Sequence, residues 1–317
     1  ATLHNKYYNI QLPAVIGFFS GARFVPIVVS LAMAVVGALL AYIWPFVQDG
    51  IAVIALFVKN AGPIGTFLYG LIERALIPFG LHHIFYTPFW YGSFVDGQVI
   101  IDGAWQTIQG ANYAYFAQLG NMQSIVGADA DTMSTIVSGT TRFMAGKFPF
   151  MMFGLPAAAL AMYHTAAPNK KKIVGSLLVS AAFTSFLTGI TEPLEFTFLF
   201  VAPMLFVVHA FLAATLATTM WLAGIVGINS GGLIEIASLN LIPLMRNHWQ
   251  QYLLELVIGL IFTAIWFVVF RFLILKFDFK TPGREDEAEI EFGSKEKFRN
   301  KQAEKGGKAG DPKLELC

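Results

Sequence analysis

One carboxylate stands almost alone in an apolar run: Glu192, in Gly189-Ile190-Thr191-Glu192-Pro193, lies within Phe183–Phe200. An ionisable group at the centre of a membrane helix costs at least about 2.5–3.5 kcal/mol, so it implies a function or a partner. A carboxylate accepts strong hydrogen bonds from O–H donors, which is the chemistry of sugar recognition. The competing reading is a structural ion pair with Arg74 or Arg142. Glu195, three residues on, shares a face with Glu192 if the helix resumes after Pro193. It stands open between a site residue and a structural carboxylate.

A second polar cluster lies within Leu71–Tyr91: Glu73-Arg74, then Pro78, then His82-His83. Arg74 and His82 are eight residues apart, about two helical turns, and share a cavity if Pro78 and Gly80 leave the chain direction intact. Arginine offers planar donors to a sugar oxygen or a phosphate. Histidine exchanges a proton near neutral pH. Adjacent histidines point to different helix faces, so no metal pair is expected, and Glu73-Arg74 serving helix packing remains an alternative. Phe85, Tyr86, Phe89, Trp90 and Tyr91 suit either a pyranose-stacking wall or a membrane-interface belt. His164 and His209 read as satisfied structural histidines. No phosphate-binding loop, HExxH or Gly-x-Ser-x-Gly occurs in the chain, so it contains no ATP-driven motor.

The elements that must position these groups are membrane helices. The composition is 56% hydrophobic and 13% charged, with mean hydropathy +0.62, against about 45–50% apolar and 25% charged in soluble domains. Lys, Arg, Asp and Glu are absent from Phe24–Gln48, Ala75–Val95, Phe148–Asn169, Ile173–Thr191, Phe196–Ile234 and Leu256–Phe270. Most of these windows suffice for a span of roughly 20 residues. The last becomes adequate as Tyr252–Leu275, with Glu255 and Arg271 snorkelling at the interfaces. Prolines at 26, 45, 78, 88, 149, 156, 193 and 203 interrupt the windows. Irregular backbone inside a bilayer needs protein or a water-filled cavity around it, so broken helices point to a binding site. The junction at Gly189–Pro193 reads as the tip of a re-entrant hairpin or a discontinuous helix.

Gly92–Thr141, rich in Gly, Gln, Asn, Ser and Asp, reads as a non-spanning excursion able to carry a hairpin. The basic loop Asn169–Lys172 and the Lys/Arg-rich tail are expected on the cytoplasmic side. The tail from Thr281 has too few apolar residues for a core and reads as a linker toward a soluble domain. A net charge of +1 gives no case for nucleic acid. The lone Cys317 excludes an internal disulfide framework and reads as an incidental end. No cofactor or metal is expected. The chain opens without methionine in an amphipathic stretch, so upstream sequence is expected.

GLHHIFYTPFWY, RFMAGKFPFMMFGLPAAALAMYHTA and LTGITEPLEFTFLFVAP resemble the glucose-superfamily EIIC membrane components of the bacterial phosphotransferase system, over about Asn5 to Arg284. HHIFYTPFWYGSF and YFAQL are closer to the maltose (alpha-glucoside) permeases than to glucose or N-acetylglucosamine permeases. The resemblance implies an all-α integral membrane, multi-span helical transporter with re-entrant hairpins and broken helices, in the bacterial inner membrane and homodimeric. Residues 1–60 would end an N-terminal dimerisation region whose earlier spans are missing. Residues 61–277 would form the transport domain, and 278–317 a cytoplasmic linker toward a IIB domain. In that family sugar binds outside, crosses by a rigid-body movement, and is phosphorylated at its 6-hydroxyl (6′ in maltose) by a IIB phosphocysteine, and the same is expected here. The chain then takes part in a sugar phosphotransferase reaction only with its IIB partner. The motif glutamate matches Glu192, the histidine His82 with His83 beside it, and the arginine Arg74. Glu192 and His82 become the expected catalytic pair, with Arg74, Glu73, Thr191 and His83 completing the sugar contacts. The alternatives are an ion-coupled secondary sugar transporter, a glucose-specific member of the same family, and a non-transporting membrane sensor.

Overall fold

Proline and glycine cut the apolar windows into helices of very unequal length. The computed structural model describes residues 2–144, 146–228 and 230–285, and is all-α, 76% helical, apart from one hairpin. The expected roles of residues 286–317, Cys317 included, lie outside the described residues. The chain divides into two units, Ala1–Gly62 and Pro63–Cys317.

The first unit holds a short helix α1 (Thr2–Tyr7) and the 37-residue α2 (Phe24–Asn60), which accommodates Pro45. At 1.5 Å per residue α2 is about 55 Å long, well beyond an approximately 30 Å hydrocarbon core. Leu31, Leu39, Tyr42, Phe46 and Val53 are all exposed on it. A helix apolar on every side and left uncovered by its own unit is built for lipid or for other apolar helices.

The second unit begins with α3 (Gly62–Ala75) and α4 (His82–Trp90). The window Ala75–Val95 is therefore not one span: the turn Ile77–Phe79, containing Pro78, and Gly80 at φ +67° redirect the chain. Strands β1 (Asp96–Ile101) and β2 (Ala104–Gln109) form an antiparallel hairpin in the polar excursion, joined by Asp102-Gly103, both at positive φ. Two successive positive-φ residues of this type make the tight turn that matches strand twist. Helices α5 (Ala111–Gly120) and α6 (Ala130–Thr140) pack on β1; Asp129 caps α6, its Oδ1 accepting from the Thr132 N–H at 2.8 Å.

A short helix α7 (Lys147–Pro149) continues through a π-type stretch at Phe150–Gly154 into α8 (Leu155–Thr165), and α9 (Lys171–Thr188) returns beside it. Gly189, at φ +76°, terminates α9 and α10 (Glu192–Leu199) starts at once, so the helix is broken at this junction. A break at Phe200–Ala202 separates α10 from α11 (Pro203–Leu222). After a loop come α12 (Leu233–Ile236), a π-type stretch at Ala237–Leu241, and α13 (Ile242–Phe277), kinked at His248.

Among the described residues three helical stretches are long and apolar enough to cross a membrane: Gly21–Asn60, Pro203–Leu222 and Leu233–Phe277. The core of the second unit lies between α8, α9, α10, α11 and α13, where Leu155, Met162, Leu194, Phe198, Trp266 and Phe270 are fully enclosed. Its far end is strapped: the Ala167 N–H donates to the Gly283 carbonyl, Arg284 to the Thr165 carbonyl, and Lys170 Nζ to the Glu285 carbonyl. The first residues of the charged tail thus dock on the basic loop between α8 and α9.

Candidate functional site

The break after α3 turns the sequence pair Arg74/His82 into neighbours on two helices. Glu73 and Arg74 occupy the last turn of α3 and are buried; His82 opens α4 and is buried, while His83 beside it is exposed. The two imidazoles are 4.0 Å apart, and His83 Nδ1 lies 2.8 Å from the Tyr86 hydroxyl. At the break between α9 and α10, Thr191 is buried and Glu192 is partly open, its side chain 35% exposed. His82 Nε2 and Glu192 Oε1 are 3.8 Å apart, too far for a direct hydrogen bond. A hydroxyl oxygen placed beside the pair, off the line joining them, could stand about 2.8 Å from both atoms.

Arg74 and Arg142 are committed elsewhere, which removes the structural ion pair as the reason for Glu192. Arg74 Nη1 binds Glu195 Oε1 at 3.2 Å, its Nη2 lies 3.7 Å from Glu73 Oε1, and its guanidinium stacks 4.5 Å over Phe150. Arg142 donates to Thr66 Oγ1 at 2.9 Å and lies over Trp221. Glu195, the residue left undecided by sequence, is fully buried and structural: its Oε1 also accepts from His209 Nε2 at 3.1 Å. Trp266 donates Nε1–H to His209 Nδ1 at 3.3 Å, so the imidazole carries its proton on Nε2. A chain Trp266–His209–Glu195–Arg74 therefore runs from α13 through α11 and α10 to α3.

Lys147 is the residue the sequence reading passed over. It is buried, ion-paired with Glu73, and sits 4.0 Å over the Trp90 ring and 4.3 Å over Tyr86. A lone lysine between Arg142 and Lys170 is the same anomaly that singled out Glu192, and it would have been found by the same test. Glu235 was also missed; Ser230 Oγ donates to it at 2.5 Å and the Gly231 N–H at 3.1 Å, and its charge reaches Lys147.

Two loop tips meet here backbone to backbone. A Cβ on Gly189 would lie 2.7 Å from the Gly232 nitrogen, and one on Gly232 only 2.4 Å from the Leu187 carbonyl carbon. Outside the spans, Asp278 is held below the ordinary carboxylate range by hydrogen bonds from Lys280 and then Arg284.

A family model described as the phosphotransferase system EIIC matches residues 1–214, more than half of the chain. The chain belongs to the EIIC family. As an EIIC protein it is a membrane-embedded, sugar-specific permease component whose general partners are a sugar and a IIB protein. The match includes Glu73, Arg74, His82, His83, Lys147, Thr191, Glu192, Glu195 and His209, whereas Glu235 and Trp266 fall beyond it.

Proposed function

We propose that this EIIC chain binds maltose or a closely related glucoside through Glu192 and His82 and presents it for phosphorylation by a IIB phosphocysteine. The observation that carries this reading is the partly open Glu192 carboxylate, 3.8 Å from His82, beside cations already taken by Glu73 and Glu195. A partly exposed carboxylate left without a cation of its own, with an imidazole close beside it, fits a sugar O–H. Tyr86 supplies aromatic surface near it, and the motif likeness to maltose permeases supports the choice of sugar.

In the transfer, the sugar 6-hydroxyl oxygen (6′ in maltose) attacks phosphorus, the S–P bond breaks, and the IIB cysteine leaves as thiolate. Glu192, with His82, orients the hydroxyl and takes its proton. Lys147 and Arg74 keep the neighbouring carboxylates compensated, so the field at the reacting oxygen is fixed in advance. Such positioning and electrostatics account for most of phosphoryl-transfer catalysis. Thr191 and Glu73 shape the pocket, and His83 flanks it. We assign 61–277 to the transport unit, 1–60 to a homodimer-forming region, 278–317 to the linker toward IIB, and the whole to the bacterial inner membrane.

The test is equilibrium binding of maltose, trehalose, glucose and N-acetylglucosamine to the purified chain in lipid nanodiscs. Maltose is expected to bind tightest, and Glu192→Gln to weaken it by about tenfold or more, the loss of a hydrogen bond to a charged group. Unchanged affinity in that variant would remove Glu192 from the site; tighter glucose binding would replace the maltose assignment.

A further inference from the structure

Four carboxylates lie between Arg142 and Phe277: Glu192, Glu195, Glu235 and Glu255. Glu195 and Glu255 are buried, the second of them where the sequence pattern placed its head in interfacial water. Glu192 and Glu235 are the two that remain partly exposed. They stand at matching places, each in the first turn of the helix that follows one of the two abutting glycine tips. The Glu235 side chain is held in one orientation. Its Oε1 accepts from the Ser230 hydroxyl at 2.5 Å and from the Gly231 N–H at 3.1 Å, while Oε2, which is not sealed from solvent, takes no hydrogen bond and no cation among the described residues. Capping of α12 accounts for the first oxygen. The second is an oriented, charged acceptor with nothing on it.

The two carboxylates bracket α4. Glu192 stands beside His82 at its start and its charge reaches Tyr86, whereas the charge of Glu235 reaches Tyr91, just past its end. His82 and Tyr91 are nine residues apart, about 13 Å of helix rise. One pyranose ring cannot touch both ends; two linked rings can. Tyr91 is exposed and meets the exposed Tyr113 edge to face, ring centroids 5.5 Å apart, so aromatic surface is offered within reach of the second carboxylate. An aromatic face suits the C–H side of a sugar ring, and a carboxylate suits its hydroxyl edge. We propose that Glu235 and Tyr91 form a second sugar subsite, which receives the ring of a disaccharide that is not phosphorylated while Glu192 and His82 hold the ring that is. This extends the sugar assignment above and rests on it.

The test is equilibrium binding of maltose and of glucose to the purified chain in lipid nanodiscs, read as the ratio of the two affinities. Glu235→Gln keeps an acceptor for Ser230 and Gly231, so the capped loop is retained, and removes only the charge. Maltose affinity should fall by about tenfold, and glucose affinity should hold, since one ring does not reach Glu235. Tyr91→Leu, on a different element, should shift the ratio in the same direction, which keeps the idea falsifiable if Glu235→Gln does not fold. Glu192→Gln should weaken both sugars. An unchanged ratio in Glu235→Gln, or in Tyr91→Leu where Glu235→Gln fails to fold, would overturn the second subsite, as would a wild-type chain that binds glucose as tightly as maltose. If Glu192→Gln left both affinities intact while Glu235→Gln still changed the ratio, the role of Glu192 would fall and that of Glu235 would stand.

Discussion

At the scale of single residues, the two carboxylates of α10 differ in what surrounds them. Glu192 is partly exposed, and Glu195, one turn on, is sealed between Arg74 and His209. Removing a buried ionic partner strands the other charge and costs about 3–5 kcal/mol. Glu195→Ala is therefore expected to lower stability by that order in chemical denaturation, and a double-mutant cycle with Arg74→Gln should show strong coupling. Glu192→Gln, by contrast, should leave denaturation nearly unchanged while sugar binding falls. The separation of roles was only partly legible. A charge in an apolar run is visible in one dimension, which is why Glu192 stood out. What neutralises it is not visible, because Arg74, Lys147, His209 and Trp266 come from four different helical segments at no fixed spacing. Sequence could name the expensive charges but could not pair them.

At the scale of elements, Pro78 and Gly80 illustrate how a local signal was read correctly as a break yet its consequence was missed. Two turns of a continuous helix would have put Arg74 and His82 on one stripe; the actual turn places them on separate helices. Gly80 sits at φ +67°, with open space around its missing Cβ. Gly80→Ala thus carries only the conformational penalty of a left-handed residue, about 1–2 kcal/mol, without a clash. Relief of that strain would shift α4 and draw His82 from Glu192. We expect a several-fold rise in KM for sugar phosphorylation in a IIB-coupled assay, with folded yield maintained. A hairpin somewhere in Gly92–Thr141 was anticipated from its composition, while Asp102-Gly103, the dipeptide that makes the turn, was a signal left unused. The break before α11 was marked by Pro203, whereas the π-type stretches were not legible, since an apolar composition is satisfied equally by regular and π-type helix.

At the scale of the whole molecule, apolar composition and the motifs carried the membrane class and the family directly, whereas burial depends on the packing of distant helices. The strap at residues 278–285 gives a pH prediction. Asp278 has a folded-state pKa below its unfolded value, so its contribution is complete above the ordinary carboxylate range, near 3.9, and is lost as pH falls below it. Limited proteolysis at the tail should accelerate as pH is lowered through that range, and Arg284→Ala should already be cleaved fast at neutral pH. A cleavage rate in Arg284→Ala equal to that of the wild type would show that the strap does not protect the tail. One geometric fact from the site bears on movement. The loops carrying Glu192 and Glu235 touch through glycine backbones with no side chain between them to slide or rotate. A methyl group is therefore a wedge at this seam: Gly232→Ala is expected to force the two tips apart, move Glu192 and lower sugar affinity in the same binding assay, whereas Gly103→Ala, with open space around it, should not.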